Sequence, residues 1–270
     1  MKKWNLIIDL ERCNGCFNCF ISCKDEHVGN SHPGYAAPQP LHGHRWIDIR
    51  THERGQVPML DLTYLPTMCN HCDDAPCVAA GKGAVKKRED GIVVIDPDKA
   101  RGREDLVASC PYGAIWWNEE EKLPQAWIFD AHLLDRGWKA PRAVQACGIG
   151  AMRAEKLEDA DMQRLAETEK LEVLHPEYGT RPRVYYKNLH HVTRCFIGAT
   201  VIAQKAGVKD CVNGASVTLS RNGQRVDAVL QTTKSGHIWL FNRETGESLF
   251  PIDEVSTAAS GLPGEVTARS

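Results

Sequence analysis

The sequence lacks any apolar stretch long enough to cross a membrane. It has no run of about 18 apolar residues, so no helix is expected to span a bilayer. The start of the chain carries two lysines and a short apolar run, which Asp9, Glu11 and Arg12 interrupt before any small-residue cleavage site. Residues 5–10 are therefore predicted to form a first strand rather than a signal peptide.

Charge excess and catalytic motifs are also lacking. The formal net charge is -2, from 33 basic and 35 acidic residues, which gives no electrostatic reason to expect binding to nucleic acid or to an anionic membrane. The sequence contains no recognisable nucleophile–base pair, no glycine-rich phosphate loop and no haem-attachment motif. We therefore expect no substrate-converting site in this chain.

Cysteine, in contrast, is abundant. Eleven cysteines in a chain without an export signal indicate metal ligation in a reducing compartment rather than disulfides, and they predict a cytoplasmic protein. Export of a complex by means of a partner's signal remains the alternative.

The first cysteine motif organises the chain. Cys13, Cys16, Cys19 and Cys23 have the spacing C-x2-C-x2-C-x3-C, and Gly15 keeps the backbone between the first two open. Three thiolates at this spacing can hold three corners of an iron–sulfur cube, whereas the fourth normally reaches a different cluster. Zinc sites use well-separated pairs of ligands, and disulfides at this spacing would be strained.

A second motif follows about fifty residues later in the chain. Cys69, Cys72 and Cys77 have the spacing C-x2-C-x4-C, and Cys110 is followed by proline, as the last ligand of a bacterial ferredoxin motif usually is. In bacterial ferredoxins, three cysteines of one motif share a cube with the last cysteine of the other. The four residues are therefore predicted to hold one complete [4Fe–4S] cluster.

The same rule shows which clusters are missing. A partner cube would need a cysteine at Gly81 and three more before Cys110, and residues 99–109 contain none. The first loop needs one further ligand, and Cys147 is the natural choice, so Cys13, Cys16, Cys19 and Cys147 are predicted to hold the second cluster. Cys23 then has no three partners.

The C-terminal third changes in character. Residues 150–171 are charged and predicted to be helical, and residues 196–250 contain short apolar strands separated by glycine and asparagine turns. Cys195 and Cys211 lie there without ligand spacing and are interpreted as structural. Residues 225–255 also resemble one blade segment of quinoprotein dehydrogenases, although a single segment cannot close a propeller. The tail, residues 251–270, is rich in glycine, serine and threonine.

Several blocks of sequence resemble a known family. The chain resembles the iron–sulfur (small, or beta) subunit of the pyrogallol–phloroglucinol transhydroxylase type, within the electron-transfer subunits that accompany dimethyl sulfoxide reductase-like molybdopterin enzymes. The resemblance covers about residues 5–225. The matching blocks are Gly43–Trp46, Asp74–Ala79, Arg88–Val93, Cys110–Gly113, Ala131–Leu134 and Gly179–Leu189.

This resemblance implies an α+β fold: a bacterial-ferredoxin-like cluster domain over residues 1–192, then a small all-β domain, immunoglobulin- or transthyretin-like, over residues 193–270. The family's small subunit is expected to hold three [4Fe–4S] clusters. At the positions of the third cluster's cysteines this sequence has Trp127, Asp130 and Ala143. Two clusters are therefore predicted, with Trp127 filling the vacated volume by apolar surface.

The resemblance also implies a function and a partner. A large partner subunit would carry the molybdopterin and bind a phenolic substrate, while this chain would transfer electrons without itself being catalytic. Two alternatives remain: an electron-transfer subunit of a respiratory molybdoenzyme such as a polysulfide or sulfoxide reductase, and a mainly structural scaffold in which clusters staple a small core.

Overall fold

A computed structural model describes residues 1–56, 59–193, 202–205, 208–211, 215–221, 224–232 and 238–250. The chain divides into two compact units, Met1–Phe196 and Ile197–Ser270. Cys195 and the tail 251–270 lie outside the described residues, as does the side chain of Cys211.

A three-stranded sheet forms the centre of the first unit. Strand β1 (Lys3–Asp9) pairs antiparallel with β8 (Met152–Leu157) and parallel with β9 (Val184–Lys187). The apolar side chains of Leu6 and Ile8 are almost completely buried. The sheet therefore joins the start of the unit to two segments far along the chain.

The helix predicted over residues 150–171 is only partly correct. Its first half is strand β8, and the helix α5 covers only Asp159–Glu169. The strand was not predicted because β8 lies at the edge of the sheet and exposes charged side chains to water, so its sequence resembles that of a polar helix.

Short helices carry or follow the cysteine loops. Helix α1 (Asn18–His27) begins directly after Phe17, whose φ of 61° turns the first loop into the helix. Helix α2 (Pro76–Gly81) starts with a proline, which suits the first turn because its missing N–H has no helical partner there. The remaining helices of this unit are α3 (Ala131–Leu134), α4 (Arg142–Gln145) and α6 (His190–Thr193), with 3₁₀ turns at Glu104–Ser109 and Pro176–Tyr178.

Three antiparallel hairpins complete the unit. The longest pairs β2 (Ile47–Gln56) with β3 (Met59–Met68). The two short hairpins pair β4 (Val85–Lys87) with β5 (Val93–Ile95) and β6 (Trp116–Asn118) with β7 (Leu123–Gln125). The mixture of helices and strands agrees with the predicted α+β class.

In the second unit the described elements are all strands. The hairpin of β10 (Ile202–Lys205) and β11 (Val208–Cys211) precedes an antiparallel meander of β12 (Ala215–Arg221), β13 (Gln224–Thr232) and β14 (Ile238–Asn242). Buried Ala228, Leu230, Leu240 and Leu249 pack together in this unit.

Candidate iron–sulfur sites

The second cysteine set surrounds one cavity. Its walls contain all four predicted ligands, Cys69, Cys72, Cys77 and Cys110. The other lining side chains are predominantly apolar, among them Val93, Ile95, Ile115, Ala126 and Ile128. Four thiols in an apolar pocket form the donor set of a [4Fe–4S] cube, so the residues fit this group.

Burial makes these thiols hard to ionise without a metal. Loss of hydration, together with the neighbouring Cys110 and Cys72, raises the pKa of Cys77 to about 11. The same desolvation raises the pKa of Cys69 well above its usual value. Bound iron would supply the positive charge that lets such thiols act as thiolates.

The loop that carries Cys69 and Cys72 is fastened by the segment that directly precedes strand β9. The backbone amides of Asp73 and Asp74 donate to the carbonyls of Arg181 and Thr180, at 2.9 and 3.0 Å, and Arg183 N donates to Asn70 O at 2.9 Å. We call residues 180–183 the strap. The strap lies inside the block Gly179–Leu189, which gives that block a structural role.

Ion pairs reinforce the strap. The guanidinium of Arg183, whose side chain is 5% exposed, binds both carboxylate oxygens of Asp73 and also reaches Asp159. Its remaining nitrogen donates to Asn5 Oδ1 at 3.0 Å, which joins the strap to β1. The cysteine loop is therefore tied to the central sheet by a buried network.

The first cysteine set also converges. Burial raises the pKa of Cys19 to about 12, and the nearby thiols of Cys13, Cys147 and Cys16 contribute in the same direction. Burial likewise raises the pKa of Cys13, with Cys147 and Cys16 adding to it. The structure thus brings the four predicted ligands near one another, although they lie up to 134 positions apart in the chain (147 − 13).

Two contacts hold this first site together. Arg12 donates from its guanidinium to Ile149 O at 2.8 Å and so fastens the loop after Cys147 to the first loop. Gly15 has φ of +68°, and a Cβ there would lie 2.5 Å from the ring of Tyr64 on β3. Only glycine therefore allows the first loop to approach the β2–β3 hairpin this closely.

The positions at which the resemblance places the third cluster's cysteines lie in a buried polar network. Trp127 and Asp130 are 0% and 1% exposed, and His27 on α1 is fully buried beside them. Asp130 Oδ1 accepts from Trp127 Nε1 at 3.3 Å and lies 3.1 Å from His27 Nε2, while Oδ2 accepts from Arg142 N at 2.8 Å. Trp127 fills volume, as the sequence predicted. Its indole N–H also donates a hydrogen bond to the Asp130 carboxylate, and the sequence analysis did not predict this bond.

Cys23 lies in this region without a set of thiol partners among the described residues. It is 3% exposed, and its pKa is raised first by burial and then by the Asp130 carboxylate. The arrangement is consistent with its exclusion from both predicted cysteine sets.

The surroundings of Gly81, where a partner cube would need a cysteine, are tightly packed. A Cβ added at Gly81 would lie 2.7 Å from Val85 Cγ2. Around it packs a small apolar core of Ala84, Val85, Val93, Ile95, Ala100, Leu106, Ile115 and Ala126. Small apolar side chains therefore occupy this side of the second site.

Sequence reasoning missed a histidine cluster next to Asp130. The rings of His32 and His132 stack with centroids 3.8 Å apart, and His132 Nε2 lies 2.7 Å from Glu26 Oε1. Arg142 donates to the second oxygen of Glu26 at 2.6 Å. No motif signals this cluster, because its members come from α1, the following loop and α3.

Comparison with known proteins agrees with these features. A family model described as a 4Fe-4S dicluster domain matches residues 60–157. The pyrogallol hydroxytransferase small subunit of Pelobacter acidigallici is 44% identical over 94% of this chain and 91% of its own length. The chain belongs to the iron–sulfur subunits of the dimethyl sulfoxide reductase family.

This family also includes a tetrathionate reductase subunit of Salmonella typhimurium, 33% identical over 69% of this chain and 73% of that protein. It further includes a putative dimethyl sulfoxide reductase iron–sulfur subunit of Halobacterium salinarum, 34% identical over 70% and 80%.

Membership settles the general role of the chain. It is an iron–sulfur electron-transfer subunit that carries [4Fe–4S] clusters, and its partner is a large catalytic subunit, which holds the molybdopterin in this family. The resemblance stated from the sequence blocks is thereby confirmed.

Two further findings concern the rest of the chain. A model described as the β-propeller domain of glucose, ethanol and alcohol dehydrogenases matches residues 212–270, the region where one blade-like segment was noted. Among the residues that the structure describes, no helix combines the length and apolarity needed to cross a bilayer.

Proposed function

We propose that this chain is the electron-transfer subunit of a molybdopterin-dependent hydroxylase or transhydroxylase that acts on phenolic aromatics, and that it holds two [4Fe–4S] clusters. The first would be bound by Cys13, Cys16, Cys19 and Cys147, and the second by Cys69, Cys72, Cys77 and Cys110. The convergence of the second set on one apolar cavity supports the proposal most directly. The phenolic substrate class is supported by the 44% identity to the pyrogallol hydroxytransferase small subunit.

Each cube, when bound, takes up and releases one electron. The chain's own residues supply the thiolates, exclude water from them and fix their spacing. Val93, Ile95 and Ile128 surround the second set with apolar surface, and the strap keeps its loop against the central sheet. Transfer of a hydroxyl between two phenols needs no net electrons, whereas outright hydroxylation needs two electrons to pass through this subunit.

Iron and acid-labile sulfide per chain, measured on the anaerobically purified complex, test the cluster assignment. Two cubes predict about eight irons per chain, with two sets of electron paramagnetic resonance signals after reduction. About twelve irons would mean that a third cube survives around Cys23 with unusual ligands, and the assignment would be wrong.

The role of the clusters in catalysis is tested by Cys72→Ser in the complex with the large subunit. We expect net hydroxylation of a phenol to be lost while hydroxyl transfer between two phenols persists. Net hydroxylation at the wild-type rate would contradict electron passage through the second site.

A respiratory role is the second candidate, and the similarity to the tetrathionate reductase subunit favours it. Under this alternative the purified complex would reduce a sulfur-containing acceptor and be inactive on phenols. Clusters that stay inert throughout a physiological redox titration would instead support the structural-scaffold alternative.

We also propose that residues 193–270 form a small all-β docking module, immunoglobulin- or transthyretin-like. The antiparallel strands β10–β14 support an all-β module, and they are equally compatible with the blade-like match at residues 212–270. Co-purification of the large subunit with a chain ending at residue 193 would argue against docking through this module. The cytoplasmic location stays a prediction.

A further inference from the structure

A partly buried lysine contacts the loop of the second cysteine set. Lys87 is the last residue of β4, and its side chain is 20% exposed. Its neighbour Lys86 is 56% exposed and pairs with Asp96 near the surface. Adjacent residues of a strand point to opposite faces, so the chain provides a matched pair of lysines, one facing the site and one facing water.

The Lys87 ammonium is bound directly to the cysteine loop. Nζ donates to the carbonyls of His71 and Cys72 at 2.7 and 2.8 Å, and it lies 2.8 Å from Asp73 Oδ1. The three N–H donors of the ammonium thus have three acceptors, two backbone carbonyls and one carboxylate, and these fix the position of Nζ against the loop. The positive charge is thus held next to a predicted cluster ligand.

The charged groups around this loop do not cancel. Lys87, Arg183 and Lys3 contribute three positive charges, whereas Asp73 and Asp159 contribute two negative charges, so the network carries a net charge of +1 (3 − 2). Arg183 and Lys87 are the most buried of the three cations, at 5% and 20% exposure. Charges with little hydration interact more strongly with their surroundings than exposed ones.

We propose that Lys87 is a positioning residue that raises the reduction potential of the cluster held by Cys69, Cys72, Cys77 and Cys110. Reduction adds one electron to the cube, which changes its charge from 2+ to 1+ and neither makes nor breaks a bond. In the titration that tests the proposal, dithionite supplies this electron. A partly buried cation stabilises the more negative, reduced form, and local charge and hydrogen bonding set cluster potentials. The proposal depends on the proposed cluster assignment.

The test is a redox titration of the purified complex followed by electron paramagnetic resonance. The signal of the second cluster is identified as the one lost in Cys110→Ser. We expect Lys87→Met to lower the midpoint potential of that signal and to leave the other cluster unchanged. Lys87→Arg should keep the potential near the wild-type value, because it keeps the charge, and Lys86→Met should not change it.

A double variant separates charge from packing. Lys87→Met with Asp73→Asn removes one positive and one negative charge, so its potential should lie closer to wild type than that of Lys87→Met alone. If Lys87→Met loses iron, Lys87→Gln takes its place, since the amide can still donate to the carbonyls but is uncharged. A lower potential in Lys87→Gln supports the proposal.

Two results overturn different statements. An unchanged potential in a Lys87→Met or Lys87→Gln complex that retains eight irons refutes the role of Lys87 and leaves the cluster assignment intact. About four irons in the wild-type complex refutes the cluster assignment, and the role of Lys87 falls with it.

Discussion

The Asp130 carboxylate should be among the most sensitive polar groups of the first unit. It is 1% exposed and serves three partners: His27, Trp127 and the backbone amide of Arg142. Asp130→Asn keeps the shape, and asparagine tolerates the φ of 49° found at this position. An amide offers only one oxygen, however, so its NH₂ group must face at least one buried donor.

The expected cost follows from counting unpaired donors. Each buried donor left without an acceptor costs about 1–3 kcal/mol, so Asp130→Asn should lose about that amount of unfolding free energy. Asp130→Ala leaves all three partners unpaired and should lose at least about 3 kcal/mol. Alanine also adds about 1 kcal/mol because it disfavours the left-handed backbone conformation.

Anaerobic urea unfolding, followed by far-UV circular dichroism, measures these losses as shifts of the midpoint. Asp105→Asn is the control, because Asp105 forms an exposed ion pair with Arg103 and its loss should leave the midpoint unchanged. Equal midpoints for wild type and Asp130→Asn would refute the reasoning. A loss of four irons in Asp130→Asn would also refute it, since it would make Asp130 a cluster ligand.

Three further outcomes follow from the sites. Gly15→Ala should weaken the first cluster and halve the iron content, because the new Cβ would lie 2.5 Å from the Tyr64 ring. Gly34→Ala is the control, because a Cβ added at Gly34 would have none of the surveyed heavy atoms within 4 Å. Cys23→Ala should retain all eight irons, and a loss of four would show that Cys23 is a ligand. Arg183→Leu removes the buried partner that Asp73 and Asn5 share, although Asp73 keeps Lys87 at 2.8 Å, so the unfolding free energy should fall by about 1–3 kcal/mol in urea titration. An unchanged midpoint would contradict the importance of the strap.

The cysteine motifs predicted which thiols lie near one another: Cys69, Cys72, Cys77 and Cys110 line one cavity, and their assignment as cluster ligands stays a prediction. The spacing also predicted that no partner cube forms, because Gly81 stands where a fourth cysteine would be needed; in the structure Val85 packs against Gly81. Long-range pairing was not predictable in the same way. Neither the parallel register of β1 with β9 nor the strand β8 leaves a strong local pattern.

Polar networks were the main omission. Trp127 and Asp130 lie three residues apart, but their partner His27 is 103 positions away from Asp130, and nothing in the local sequence signals that it joins them. Nothing in the spacing of Lys86 and Lys87 distinguishes the exposed lysine from the one that faces the cysteine loop. Such roles depend on which face of a strand packs inward, and that is decided only when distant segments meet.

The crossed ligand sets and the closing strand β9 impose an order on biosynthesis. A ribosome releases Cys13, Cys16 and Cys19 long before Cys147, but it completes the second set as soon as residue 110 has emerged. The strap that fastens this second set arrives only with residues 180–183, just ahead of the strand that pairs with β1. During synthesis, the first set of thiols therefore stays incomplete until Cys147 is made, and the second set stays unfastened until residues 180–183 are made. Cluster insertion is thus expected to follow the synthesis of β9, when both sets of thiols are complete and the second is fastened.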